Sequence, residues 1–277
     1  MMNGKTRYRL SDCILEIIML AASLVVVVPL LLALFGSFKS PAEALHYNIL
    51  PPSRWHPENY YEVVQKSNIL TAFKNSVIIT AAVVSVTIII CSLASFIIAR
   101  RGDRICRFLV SYFNLALIVP MAIVPTILLL QRMHLMNTKT GMIFVMIASN
   151  ISWGMFIMTS FMHTIPREMD EAAIIDGCGP VRLFYLVIFP LLKPVIMTNV
   201  VIIGMGTWND LQTPLYMLNS SRNLTMPLTV YNFMGRYFSQ WNLIFADLVL
   251  VGLPMVLMYA FLQKYIVSGI TAGAVKG

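Results

Sequence analysis

Six stretches of roughly twenty or more predominantly apolar residues, each long enough to cross the hydrocarbon core of a bilayer as a helix, dominate this 277-residue chain. They run near Ile14 to Phe35, Phe73 to Ala99, Phe108 to Leu130, Met142 to Met162, Pro194 to Leu218 and Leu243 to Val267. In lipid only helices and closed barrels satisfy their own backbone polar groups, and continuous apolar runs, unlike alternating ones, select helices. The predicted fold is therefore an all-α polytopic membrane protein with six transmembrane helices. Composition agrees. Hydrophobic residues make up 58% and charged residues only 12%, against about 25% charged in ordinary soluble domains, which excludes a soluble enzyme.

Six spans place both termini on one side of the membrane. With the N-terminus inside, twelve of the twenty Lys and Arg residues are cytoplasmic, including the tight hairpin of Arg100, Arg101, Arg104 and Arg107. Short basic loops are what the positive-inside rule weighs, so both ends are expected in the cytoplasm. The net charge of +8 forms no stripe, which argues against nucleic-acid binding. Cys13, Cys91, Cys106 and Cys178 are widely spaced and form no CxxC pair, so neither a zinc site nor a disulfide framework is indicated. The first apolar run follows Lys5, Arg7 and Arg9 as a signal peptide would, but it is too long and lacks a small-x-small site; it is expected to be retained.

These boundaries give a cytoplasmic segment 1–13, a six-helix transmembrane domain 14–267 and a cytoplasmic tail 268–277. Pro120, Pro125, Pro214 and Pro254 fall inside spans and should loosen them locally. The outer loop from Gly36 to Ala72 carries Pro41, Pro51, Pro52 and Pro57, and its Trp55, Tyr60 and Tyr61 suit either an interfacial aromatic belt or a contact with an extracytoplasmic partner. Polar residues within spans are costly. Glu16 can snorkel, while Asn75, Asn114 and Asn199 read as interhelical hydrogen-bond groups. Asp247, a single acidic residue near the outer start of the sixth span, is thin support for a proton relay. Trp208, Asn209 and Asp210 pair an aromatic face with amide and carboxylate acceptors beside Gly204 and Gly206. That set fits either a polyhydroxylated solute or a brace against another subunit.

The segment from His163 to Lys193 reads as two short helices forming a bent hook. Thr164 can cap the first, Pro166 suits its first turn, and Glu168, Asp170 and Glu171 favour its positive end. Gly177 can end it in a left-handed conformation. Gly179 and Pro180 restart a helix expected to run to Phe189, where Pro190 breaks it. Ala172 and Ala173 give a small-residue face, and Arg167, Glu171 and Asp176 offer charges to a partner. A plain interfacial connector would fit the same local physics.

Glu171-Ala172-Ala173, Asp176-Gly177 and Phe189-Pro190 resemble the EAA loop of bacterial ABC importer permeases, with Val187 and Phe189 standing where that pattern has isoleucine and leucine. Six spans with this loop between the fourth and fifth, and the tail Gly269 to Gly277, are similar to the MalG-type permeases of carbohydrate importers. The resemblance implies a coupling loop at 163–193 in which Glu171, Ala172, Ala173, Asp176, Gly177 and Pro190 meet an ATPase. It implies a second, MalF-like permease, two ABC ATPase subunits, an extracytoplasmic solute-binding protein and a sugar substrate, in a bacterial cytoplasmic (inner) membrane. ATP and magnesium would bind the ATPase subunits and no cofactor this chain, which has no G-x-x-x-x-G-K-[ST] loop; it would be a transport subunit and not an enzyme. An ion- or proton-coupled secondary transporter is the rival reading. A membrane enzyme is disfavoured, because His46, His56, His134 and His163 form neither HExxH nor a close pair.

Overall fold

The structure, a computed structural model, describes residues 10–235 and 238–274. Every regular element among them is helical: α1 Leu10–Gly36, α2 Pro41–Ala44, α3 Glu58–Lys66, α4 Ile69–Arg101, α5 Arg104–Ala116, α6 Ile123–Arg132, α7 Lys139–Met162, α8 Glu168–Ile175, α9 Pro180–Leu183, a π-helical turn Phe184–Ile188, α10 Phe189–Leu191, α11 Lys193–Asn209, α12 Gln212–Met217, a 3₁₀ stretch Met226–Asn232 and α13 Trp241–Ala274. Four helices (α1, α4, α7 and α13) are each long and apolar enough to cross a membrane. Two expected spans are not single helices. The third divides into α5 and α6, because Pro120 has no N–H to continue the ladder and the backbone between Leu117 and Ala122 leaves helical geometry. The fifth unwinds at Asp210 before α12. The sixth continues past the expected end at Val267, so helix covers the tail to Ala274, and residues 1–9 and 275–277 of the expected terminal segments lie outside the described residues.

Contacts group the chain into two units, Met1–Ser67 with Val230–Val251 and Asn68–Thr229 with Gly252–Gly277. In the first, Leu15 to Leu30 of α1 present every side chain outward, as a helix surrounded by lipid or by another subunit must. The outer loop that follows is tied by polar groups. Asn59 donates to the carbonyls of Ser37 and Lys39 at 2.8 and 2.9 Å, and Asn242 donates to Asn59 Oδ1 at 2.9 Å. Lys39, only 1% exposed, delivers its ammonium to the backbone and side-chain oxygens of Asn48. Phe38 sets its ring against Trp55 and Tyr60. Tyr60 also shares a hydrogen bond with Ser37, and its burial raises the phenol pKa. Tyr61 remains exposed.

The second unit is built on α4, α7 and α11, whose buried faces share Ile88, Cys91, Ile98, Met155, Met158, Met162, Val195 and Ile196. Association of helices in lipid draws on close packing, since lipid chains are as apolar as leucine. The methionines of α7, including Met142, Met146, Met155 and Met158, are therefore packing residues inside the bundle, where a flexible thioether fills irregular gaps. Gly154 allows α7 to approach α4: a Cβ there would meet Cys91 Sγ at 2.8 Å. Gly154→Ala is expected to destabilise the detergent-solubilised protein by about 1–3 kcal/mol, and adding Cys91→Ala should restore most of it. Thermal unfolding followed by size-exclusion recovery checks this; equal midpoints for wild type and Gly154→Ala would contradict it.

The basic hairpin is a tight turn. Gly102 adopts φ +61° and closes α4 with its N–H on Ile98 O. Asp103 then caps α5 by accepting the Cys106 N–H at 2.8 Å, a bond that holds its carboxylate below the usual range. Arg100 and Arg101 occupy the last turn of α4, where positive charge suits the helix dipole.

Candidate functional site

The hook folds as two helical pieces, with local chemistry that partly differs from expectation. Thr164 does not cap α8; its hydroxyl donates back to Phe161 O at 2.7 Å, finishing α7, and Arg167 takes the cap position without a side-chain bond. Glu168, Asp170 and Glu171 do occupy the first turn. At the other end the Gly177 N–H reaches Ile174 O and the Cys178 N–H reaches Ala173 O, both at 2.9 Å, which is the Schellman arrangement. It requires a left-handed residue, and Gly177 has φ +82°.

Pro180 starts α9 as expected, but Pro190 does not end the helical path. The turn before it widens so that the Phe189 N–H bonds to Phe184 O, five residues back. That shift accommodates a residue with no N–H of its own. The path continues to Leu191, and the break falls between there and Lys193, where Pro180–Leu191 and Lys193–Asn209 bend by 72°. Pro190 therefore sits within the path, one residue before its last, Leu191, and just ahead of the bend.

Position on α8 sorts its residues by face. Asp170 and Ala173, three apart, turn inward, and Ala173 belongs to the buried cluster that also holds Leu183, Phe184 and Ile188. Glu171, Ala172, Ile174 and Ile175 turn outward, as do Asp176 and Gly177 at the helix end, and Ile175 is 85% exposed. Glu171 makes no side-chain hydrogen bond or ion pair among the described residues. Val181, Tyr185 and Leu186 extend the exposed apolar surface along the second piece. The adjacent acids thus differ: Glu171 is offered outward, whereas Asp170 is held by Arg100. Arg100 Nε lies 2.6 Å from Asp170 Oδ2, and Nη2 donates to Oδ1 at 3.0 Å. Sequence reasoning missed this pair. The signal was the helical register that places Asp170 on the same face as Ala173.

The expected path residues are placed apart in environment. Trp208 is 4% exposed with its ring edge-on to Phe73. Asp210 accepts the Thr213 N–H at 3.0 Å at the start of α12, and Asn209 is exposed. Asn75 does more than join helices: it donates to the carbonyls of Arg222 and Leu224 and accepts from Lys139 Nζ. Asn199 bonds within its own helix, to Val195 O. A cavity of about 640 Å³ opens beside the α5–α6 break, lined mostly by apolar groups with Thr126, Ser149 and Ser152 among them. No cluster of metal-ligating side chains occurs among the described residues.

Residues 91–272, which contain the whole hook, match the family described as binding-protein-dependent transport system inner membrane component. The chain belongs to that family. It is 31% identical over 256 residues, 92% of this chain and 93% of the relative, to a probable starch degradation products transport system permease protein of Thermoanaerobacterium thermosulfurigenes. Similarity to the diacetylchitobiose uptake system permease protein of Streptomyces coelicolor is 30% over 260 residues, covering 92% and 85% of the two chains. The fold matches a chain in the crystal structure of a bacterial ABC transporter involved in the import of the acidic polysaccharide alginate, with a TM-score of 0.80, 18% identity, and 93% and 98% coverage. As a binding-protein-dependent inner membrane component, the chain is a multi-pass permease subunit of an ABC importer, and the ATPase resides on separate subunits.

Proposed function

We propose that this subunit imports an oligosaccharide delivered by an extracytoplasmic solute-binding protein, paired with a second permease and driven by two ABC ATPases that bind ATP and magnesium. The relatives named for starch degradation products and diacetylchitobiose support a carbohydrate solute. One observation carries the drive mechanism: α8 ends in a glycine-dependent turn that leaves Glu171, Ile174 and Ile175 exposed and unpartnered. On a cytoplasmic segment, between α7 and the bent path into α11, such a surface needs a protein to cover it. The ATPase fits, with a basic group opposite Glu171. ATP-driven closure of the ATPases can shift the spans only if the docked hook favours one arrangement over another. The proposed topology has six crossings, counting α5 with α6 and α11 with α12 as broken spans, and both termini in the cytoplasm.

For the solute, irregular backbone at membrane depth is tolerated where it lines a cavity or is buried in protein. The α5–α6 break with its cavity meets that condition, and the fifth span unwinds at Asp210, next to exposed Asn209. Asn209 is the proposed sugar-facing member of the Trp208-Asn209-Asp210 set; Trp208 and Asp210 hold the local shape.

Purification of the tagged chain from its native membrane in mild detergent is expected to bring down a second permease and an ABC ATPase. Reconstituted in liposomes with the binding protein, the complex should accumulate labelled oligosaccharide only when ATP is present on the ATPase side. Uptake by the chain alone, following an imposed proton or sodium gradient, would overturn the proposal and favour the secondary-transporter reading.

A further inference from the structure

We propose that Arg100 and Asp170 form a positioning pair that carries displacement of the hook into α4, and through α4 into the helix bundle. The proposal rests on the reading of the hook as the ATPase-docking element.

Arg100 lies in the last turn of α4, and its guanidinium spans the junction where α7 gives way to the hook. Nε and Nη2 address the two oxygens of Asp170, while Nη1 donates to Ile165 O at 3.2 Å, immediately before Pro166. One side chain therefore holds both the entry strand of the hook and the first turn of α8. The side chains are 15% and 13% exposed, so solvent screens the pair little. Its neighbour differs: Arg101, 68% exposed, reaches the local Asp103 at 3.0 Å.

The rest of the attachment of α8 is slight. Ala173 is its only buried side chain, and a methyl group on an apolar surface resists sliding poorly because the contact has no preferred direction. A planar guanidinium on a carboxylate does have one: the Nη2 hydrogen bond to Oδ1 and the close Nε–Oδ2 ion contact fix distance and angle together. A load applied at Glu171 and Ile175 would reach α4 through the adjacent residue, Asp170. Since α4 packs along α7 and α11 through Cys91, Ile98 and Met158, movement of its inner end is movement of the bundle. Without the pair, α8 could still dock, yet slide relative to the end of α4.

The test uses the complete complex in liposomes, measuring solute transported per ATP hydrolysed. Asp170→Asn keeps shape and removes charge; Arg100→Lys keeps charge and removes the fork. Both are expected to retain ATPase subunits at wild-type stoichiometry and at least half of the ATP hydrolysis, while transport per ATP falls at least fivefold. The exchange Arg100→Asp with Asp170→Arg should recover more than either single reversal, although incompletely, because each charge then opposes its helix dipole. Wild-type transport per ATP in both conservative variants would overturn the proposal, as would loss of ATPase subunits in parallel with transport. If the wild-type chain assembles with no ATPase, the docking reading itself fails; if it assembles and transports but the variants match it, only the pair fails.

Discussion

Replacing Gly177 with Ala is expected to lower transport about tenfold with membrane insertion and abundance unchanged. The cause is conformational. At φ +82° an L-residue with a Cβ is strained by about 1–2 kcal/mol, yet a Cβ at this position would meet nothing within 4 Å. The substitution therefore leaves packing untouched and acts on the turn alone, shifting α8 away from the shape in which Ala173 and Ile174 carbonyls are satisfied by Cys178 and Gly177. That isolates a graded series. Asn tolerates the left-handed region best among non-glycine residues and a β-branched residue worst, so transport should rank Gly, Asn, Ala, Val. Initial uptake rates in vesicles matched for protein content check the order. Equal rates for Gly177 and Gly177→Val would show that the turn does not matter to transport.

Glu171→Lys is expected to remove the ATPase subunits from the purified complex, with Glu171→Gln retaining them weakly. Truncating one partner of a buried, hydrogen-bonded interface charge pair costs about 2–5 kcal/mol, and reversal adds repulsion. Because Glu171 is exposed and makes no polar side-chain contact among the described residues, its loss should leave the fold of the chain intact, and helical content and detergent stability should match wild type. The informative contrast is with the preceding residue. Asp170→Asn should keep the ATPases bound and lose coupling, whereas Glu171→Lys should lose the ATPases. Quantifying ATPase per permease in both variants checks this; retention of the ATPases in Glu171→Lys at wild-type levels would contradict the docking role of that side chain.

The apolar runs in the sequence located four full-length helices, the ends falling within about four residues except the C-terminal end of α13, because lipid permits almost no other structure for such runs. Gly177 was legible for a similar reason: a glycine following α8-like periodicity has few uses other than a left-handed cap. The broken third span was only partly legible. Pro120 signalled loosening, but whether a proline kinks or divides a helix depends on what neighbouring helices supply to the freed backbone groups. Pro190 misled as a breaker because the π-helical turn before it absorbs the missing donor, and that turn has no local sequence signature. The Arg100–Asp170 pair joins residues 70 apart. Arg100 reads in isolation as a topogenic charge and Asp170 as a helix-dipole charge, and only the packing of α8 on the end of α4 reveals that they meet. Trp208 suggested a sugar platform from residue type alone; its burial against Phe73 is a tertiary fact.

Entry of work from an ATPase through the hook is tested most directly by placing a photoreactive benzophenone side chain at Ile175, the most exposed apolar residue of α8, and irradiating native membranes. The expected product is a single covalent adduct with an ABC ATPase subunit, whose yield changes when vanadate traps ADP on the ATPase after hydrolysis. Adducts only with lipid or with proteins on the outer side of the membrane would contradict it.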